Sequence, residues 1–586
     1  MKCVAFDTET TGLRLHNGDK VFAWSTCDEE GNIDVTRFGH NGSASKFESL
    51  IQQWETGTIR PVSHYAKFDL TGAEKIAGRH LANRIKFHCT HLEANIVRNT
   101  GSHELKELAY IHAGIQRDDE QEVKRLAAQS GGDYSLVPED KMKRYQALDA
   151  YRCMLLHLFY YPMIQKNPKW LSVYESELQT AVVTMRMEER GVMIRRSAAQ
   201  KLIDDLDRQR EEVLEQAEAI VGKPVSLSGD ELLWLLFQHY NLPVLERTTG
   251  GKPSTEKESM LALRTSHGVQ FPIIDLVLKF RSWQHGAAIL RSYLEFADSD
   301  GVIHSSINPC GAVTCRQSSE KPNLHNVSKS RALLNPYPVP ARRIFMPRPG
   351  YVNVHVDFSG EEMRLLLHYC NVYCGKDKLL WDMVVNGGDL HYPATKILYP
   401  DYDGMLKSLQ KSVRDACKNT NFAGAYQATD MKMCVTAGLP PDIGLPRIRQ
   451  WRDAFPNLSR LSKELGRLAN RQGYVDTCFG RRLWLRKLHA PVNTLVQGTG
   501  AEVLKRAENA AEGYLQEATG GEVELILSIH DEMIFQVPRQ RLSDFRGIMP
   551  ELARRMTDFP EISVPMLVDA KIATFNWEQT TPFTWD

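Results

Sequence analysis

Carboxylates gather at the ends of apolar, strand-like runs in this chain. Asp7-Thr8-Glu9 follows Cys3-Val4-Ala5-Phe6. In a strand, residues two apart share a face, so Asp7 and Glu9 can point at one cation. Adjacent carboxylates repel unless a proton or a metal relieves them. Tyr145 and Asp149 lie four apart in a helical stretch from Lys141 to Tyr161 and share a helix face. A phenol and a carboxylate placed so can hold an attacking water and a metal. Further on, the run Val352–Val356 leads into Asp357, and two more runs meet at His530-Asp531-Glu532. An acidic pair at a tight turn between apolar strands points to a bound ion, with Asp357 and Asp531 as its ligands. A solvated turn or an edge strand would show the same residues.

A second pattern lies between Ser412 and Tyr426. Arg414, Lys418, Phe422 and Tyr426 recur every four residues, a spacing that drifts about 40° per step and keeps them on one broad helix face. Cations neutralise phosphate and aromatic rings stack on bases. Such a face suits a nucleotide, although an amphipathic core helix with both rings buried would read the same way.

The elements that must position these groups follow from the pattern around them. Amphipathic helices run from Leu171 onward and from Leu202 to Ile220, and another helical stretch spans Pro272 to Phe296. Thr248–Thr255 reads as a loop. Asn308–Ser328 lacks periodicity, as functional segments often do. The 586 residues imply two to four domains, and 42% hydrophobic with 25% charged residues is ordinary for a globular protein. No apolar run approaches the roughly 18 residues of a membrane span, and the N-terminus does not read as a secretory signal. Eleven cysteines without Cys-x-x-Cys argue against a disulfide framework or a zinc site, and suggest reduced thiols in a cytoplasm. The net charge is zero, but residues 446–488 hold eleven basic against three acidic side chains. That stripe is either an anion-binding surface or a solvated helix face.

Asp7-x-Glu9, Phe68-Asp69 and Tyr145-x-x-x-Asp149 resemble the three motifs of DEDDy-type 3′–5′ exonucleases. The resemblance implies an RNase H-like fold, two divalent ions held by Asp7, Glu9, Asp69 and Asp149, and Tyr145 orienting the attacking water. The family's usual Asn before the aromatic-Asp pair is missing; His64 and Tyr65 fill the place. Asp357-Phe358-Ser359-x-x-Glu362-x-Arg364, the Arg414-to-Tyr426 series and His530-Asp531-Glu532 resemble motifs A, B and C of family A DNA polymerases. Thr314-x-Arg316 with Pro322-Asn323-Leu324-x-Asn326, Asp389-x-His391, Gly480-Arg481-Arg482 and Asn493-x-x-x-Gln497 are similar to other segments of that family.

The joint resemblance implies an α/β multidomain chain: an RNase H-like exonuclease domain over 1–175, then a right-hand polymerase over 176–586. Its thumb would cover about 200–295, its palm 296–385 and 486–586, and its fingers 386–485. Asp357 and Asp531 would hold two Mg2+ (or Mn2+). Arg414, Lys418 and His391 would contact the triphosphate, with Lys418 the proton donor to pyrophosphate. Glu362 packed near Tyr426 would exclude a ribose 2′-hydroxyl, and Phe422 would meet the sugar's 3′ side and disfavour dideoxynucleotides. Arg316, Asn323, Asn326, Arg482, Asn493, Gln497, His530 and Glu532 would contact primer-template DNA. Departures are Gly360-Glu361 for the usual Gln-Ile, Gln427 for the usual Gly, and His489 where Arg is common. An exonuclease starting at residue 1 leaves no room for a 5′-nuclease domain, which resembles phage replicative polymerases and implies phage DNA replication in a host cytoplasm. A gap-filling repair polymerase, or an exonuclease with a DNA-binding C-terminal module, are the alternatives. Any helicase or processivity factor is left unidentified.

Overall fold

The structure, a computed structural model, describes residues 2–327, 336–376, 378–385, 391–486 and 490–585. Asp389, Lys487 and His489 of the readings above lie outside the described residues.

Two five-stranded sheets organise the chain. The first has the order β3-β2-β1-β4-β5, with β1 Lys2–Thr10, β2 Val21–Asp28, β3 Ile33–Arg37, β4 Ile59–Ser63 and β5 His88–Cys89. β1 runs antiparallel to β2 and parallel to β4. Its alternation sorts the two faces. Phe6 joins an aromatic cluster with Trp24, Phe47 and Trp54, where the Phe6 and Trp54 rings meet edge-on at 4.8 Å. Ala5 packs the other way, with Val62, against Ala150, Cys153 and Met154 of the helix Glu139–Gln165. Asp7 and Glu9 share the parity of Ala5, so they face that helix.

The second sheet has the order β7-β8-β6-β9-β10, all neighbours antiparallel: β6 Tyr351–Phe358, β7 Glu524–Ile529, β8 Glu532–Pro538, β9 Val568–Ala573 and β10 Thr580–Pro582. β6 is central and buried along most of its length, and its apolar Val352, Val354 and Val356 alternate with the polar Asn353, His355 and Asp357. The helices Glu361–Cys374 and Pro491–Thr519 pack over the sheet, and the long helices Arg196–Val221 and Ile273–Phe296 pair with each other. A further group of helices, from Tyr392 to Gln472, carries the Arg414 series.

The helix Pro168–Arg190 joins the two halves. Asn167 caps it by accepting from the backbone N–H of Lys169 and Trp170, with Pro168 at its first position, a favourable start. Among the described residues no helix is long and apolar enough to cross a membrane. Among the described residues no disulfide links any of the eleven cysteines.

Candidate active sites

The first candidate site lies where β1 faces the helix Glu139–Gln165. Asp69 enters from the first turn of the helix Ala66–Ala77. Thr8 fixes it: its backbone N–H and its hydroxyl both donate to Asp69 Oδ1, at 2.9 and 2.8 Å. Loss of hydration and mutual repulsion push the carboxyls up, Glu9 to about 8, Asp69 to about 7 and Asp7 well above its ordinary range. Crowded carboxylates that resist ionisation on their own are a donor set for hard divalent cations. Asp149 faces them across the cleft, as does Tyr145, whose hydroxyl burial and the nearby carboxylates keep protonated.

Two cations that the sequence reading did not single out pair with Asp149. Lys106 Nζ donates to Asp149 Oδ2 at 2.8 Å and to the Tyr145 hydroxyl at 2.9 Å. Arg152 donates to Asp149 Oδ1 at 2.8 Å and pairs with Asp119. Both oxygens of Asp149 thus accept a hydrogen bond, and an ion bound there would compete with Lys106 for Oδ2. The cleft, about 550 Å³, is lined by Leu13, Tyr65, Phe68, Phe296 and Asn308 beside the acids. At the place of the missing Asn the two side chains diverge. His64 is buried and bonded to Thr90 and the His103 carbonyl. Tyr65 is 45% exposed and stacks on His91 at 4.2 Å.

The second candidate site lies at one end of β6 and β8. Asp357 pairs with Glu532 across the ladder. The N–H of Phe358 donates to the Asp531 carbonyl at 3.1 Å. The two half-buried aspartates are thereby held on adjacent backbone, although 174 residues separate them. The β7–β8 turn is His530-Asp531, with His530 at φ +60°, a left-handed conformation that costs about 1–2 kcal/mol away from Gly. Glu532 accepts a hydrogen bond from, or donates one to, buried His355 Nδ1 at 2.7 Å, a contact that sequence reading missed.

The helix Lys407–Ala425 settles which of its faces is core. Val413, Cys417, Thr420 and Gly424 are buried. Arg414, Phe422 and Tyr426 are half-buried and Lys418 is exposed, so the four-residue series forms a neighbouring, solvent-reachable face. The Phe422 and Tyr426 rings stack at 6.3 Å. Tyr426 donates to Glu362 Oε2 at 2.8 Å, and Arg316 lies 3.4 Å from Glu362 Oε1. His391 is held by Asn421 at 3.1 Å, which also accepts from the Trp451 indole. A Cβ on Gly424 would lie 2.5 Å from that indole, so the helix needs glycine there.

The predicted DNA contacts are dispersed around this centre. Asn323 and Asn326 are exposed, with the Asn326 N–H donating to Asn323 Oδ1 at 3.1 Å. Asn493 and Gln497 are half-exposed on one face of the helix Pro491–Thr519. Arg482 lies over the Tyr474 ring at 3.7 Å and pairs with Asp476. The basic stripe is partly consumed internally: Arg447 bonds the Leu398 carbonyl, Arg452 pairs with Asp430, and Arg481 is buried.

One carboxylate cluster thus lies on each of the two five-stranded sheets. Residues 1–164 match the 3'-5' exonuclease family, and residues 196–579, more than half the chain, match DNA polymerase family A. The chain belongs to DNA polymerase family A. It is 24% identical over 608 residues to DNA polymerase I of Pseudomonas aeruginosa, covering 98% of this chain and 63% of that protein. It is 26% identical over 427 residues to the thermostable DNA polymerase I of Thermus thermophilus, covering 69% and 48%. The chain thus aligns with about half to two-thirds of the length of these relatives. A solved structure, the POL domain of Pol1 from M. smegmatis in complex with DNA primer-template and dNTP, superposes with TM-score 0.80 at 21% identity, covering 98% of this chain and 96% of that one.

Proposed function

We propose that this chain extends a DNA primer along a template with deoxynucleoside triphosphates and removes nucleotides from the same 3′ end. The observation that carries the reading is the pairing of β6 with β8, which holds Asp357 and Asp531 on adjacent backbone, while Tyr426 at the end of the Arg414 series bonds Glu362, five residues after Asp357. Phosphoryl transfer asks mainly for positioning and charge neutralisation. Asp357 and Asp531 would hold two Mg2+ or Mn2+. Ions bound there supply charge neutralisation at the attacking and leaving oxygens. Arg414 and Lys418 grip the triphosphate, with His391 beside them. Tyr426 and Glu362, already hydrogen-bonded to each other, close the space a 2′-hydroxyl would need. His530 and Glu532 border the primer terminus.

Asp7, Glu9, Asp69 and Asp149 would hold the second pair of divalent ions, and the mutual repulsion of these acids supports that fit. Tyr145 orients the attacking water. In this reading residues 1–175 are the exonuclease unit and 176–586 the polymerase, with the thumb at about 200–295, the palm at 296–385 and 486–586, and the fingers at 386–485. The second sheet, whose strands lie within 351–358 and 524–582, supports a palm in two segments. Phage replication in a host cytoplasm is the narrower expectation. It rests on motif resemblance, and the relatives compared above are bacterial.

A primed template with all four deoxynucleotides and Mg2+ tests the reading: full-length product is expected, and its absence with the wild type overturns it. Replacing Asp7 and Glu9 by Ala is expected to abolish primer degradation and to leave extension intact. Loss of both activities would show that the two centres are not separable.

A further inference from the structure

The face of β1 that carries Asp7 and Glu9 also carries Cys3 and Ala5. The helix laid across it repeats the pattern, with Tyr145, Asp149, Cys153 and His157 at intervals of four. One end of this strand-on-helix contact is the acidic cluster. Ala5 and Cys153 pack in its middle. At the other end Cys3 meets His157, and His88 of β5 joins them, so that one donor atom from each of the three lies within 4.8 Å of the others.

We propose that Cys3, His88 and His157 form a binding site for one Zn2+-class transition-metal ion that pins β1 to the helix Glu139–Gln165, apart from both carboxylate centres. A thiolate with two imidazoles selects zinc-like ions over Mg2+ or Ca2+. Cys3 precedes Asp7 by four strand residues, roughly 13 Å, so the two sites cannot share an ion.

The surroundings are those of a metal site. Ligating histidines commonly tie their other ring nitrogen to a carboxylate or a hydrogen-bonding group. Here His157 Nδ1 lies 2.9 Å from Glu93 Oε1, and His88 Nδ1 lies 3.2 Å from the Tyr174 hydroxyl, which itself donates to Glu93 Oε1 at 2.9 Å. That leaves Nε2 of each ring as the donor. Glu93 is fully buried, and its other oxygen is without a hydrogen-bond partner. Among the described residues no lysine or arginine pairs with it; its ion-pair neighbours are these two imidazoles. A buried carboxylate is costly without a cation; the protonated His157 imidazole beside Glu93 supplies one in the metal-free protein, and an ion held through both imidazoles would take over that role. A tetrahedral ion with bonds of about 2.0–2.3 Å sets its donors roughly 3.3–3.7 Å apart, so a small inward movement closes the site. Arg60 Nη1 lies 3.1 Å from His88 Nε2 and must step aside. Its own Nε is buried without a partner, so its present seat is a poor one. Three ligands leave the fourth position to water. The ligands come from three distant elements, so a site of this kind would carry no Cys-x-x-Cys motif.

The full chain, prepared without a histidine tag, stripped with chelator and kept in excess Mg2+, is titrated with Co2+. The expected result is one Co2+ per chain, a thiolate-to-cobalt charge-transfer band, and loss of that band when Zn2+ is added. The band is expected to persist in the Asp7→Ala, Glu9→Ala double variant, which makes the result independent of the exonuclease reading; its loss there in folded protein would show that the ion is not bound apart from the acidic cluster and would overturn the proposal. Cys3→Ser is expected to remove the band, and Glu93→Gln to weaken Co2+ binding about 10–100-fold. No band in the wild type, or a band that survives in folded Cys3→Ser, overturns the proposal. Should Cys3→Ser not fold, alkylation of Cys3 in the wild type decides: slowing by Zn2+ supports the site, and equal rates with and without Zn2+ overturn it.

Discussion

Gln427 shows what one departure from a family pattern does physically. The helix Lys407–Ala425 ends in paired capping bonds: the N–H of Ala428 donates to the Ala423 carbonyl at 2.8 Å and that of Gln427 to the Gly424 carbonyl at 3.2 Å. This is the arrangement in which the residue after the cap turns left-handed and is usually glycine. Gln427 adopts it at φ +64°, bearing a Cβ where that conformation disfavours one. Gln427→Gly is therefore expected to stabilise the fold by about 1 kcal/mol, read as a higher urea midpoint for the polymerase unfolding step; an unchanged or lower midpoint would show that the Gln side chain repays its strain elsewhere. The replacement of the usual Gln-Ile by Gly360-Glu361 has a different outcome. Gly360 takes the left-handed cap of the helix Glu361–Cys374. Glu361 is buried, and its carboxyl is pushed well up by burial first and by Asp531 next. A buried carboxyl whose ionisation is disfavoured thus lies next in sequence to Glu362, which accepts from Tyr426.

At the scale of elements, the exonuclease cleft is a strand and a helix that crowd acids onto facing surfaces, and its stability must depend on pH and metal. In the metal-free protein the folded-state pKa of Glu9 is raised to about 8 and that of Asp69 to about 7. The folded state therefore binds more protons than the unfolded state between about pH 4 and pH 8, and linkage makes stability fall as pH rises through that window. With chelator, the melting temperature of the exonuclease unit is expected to drop between pH 5 and pH 8, and Mg2+ is expected to restore it at the alkaline end. The Asp7→Ala, Glu9→Ala variant should lose most of that pH dependence, and a wild-type curve flat in chelator would contradict the crowding. Period and strand endings made Asp7, Glu9, Tyr145, Asp149, Asp357 and Asp531 legible in the sequence, because spacing along one element fixes which side chains share a face. Arg152 sits three residues after Asp149 on one helix, a spacing the sequence does carry and the reading passed over. Lys106 and His355 were not legible: they reach their acids from a separate helix and strand, which no local pattern reports. The basic stripe misled for the same reason: charge per residue does not say that Arg481 turns inward.

At the scale of the molecule, that buried Arg481 joins the two halves. Glu177, on the helix Pro168–Arg190, pairs with Arg481 and accepts from Lys505 Nζ at 2.7 Å. Arg481 also reaches Asn95 at 3.2 Å, within the first half of the chain. All three charged groups are nearly inaccessible to water. Burial raises the Glu177 carboxyl, but Lys505 and Arg481 outweigh it and hold the group below its ordinary range. Around this core the backbone N–H of Trp484 donates to Asn99 Oδ1 at 2.7 Å, and Asn99 in turn donates to the Val313 carbonyl at 2.7 Å. The contact is therefore polar, specific and buried at its centre; removing the Glu177 carboxylate strands Lys505 and leaves Arg481 only its 3.5 Å pairing with buried Glu502. Breaking a buried pair from one side costs about 3–5 kcal/mol, because the remaining charge stays unsolvated. Glu177→Gln is expected to destabilise the chain by that amount and to bring the exonuclease and polymerase unfolding steps apart in calorimetry. Adding Lys505→Met to Glu177→Gln is expected to recover part of the loss, since one stranded cation is then gone. If the single variant melts as the wild type does, with both steps coincident, the two halves are held together by their apolar contacts and not by this network.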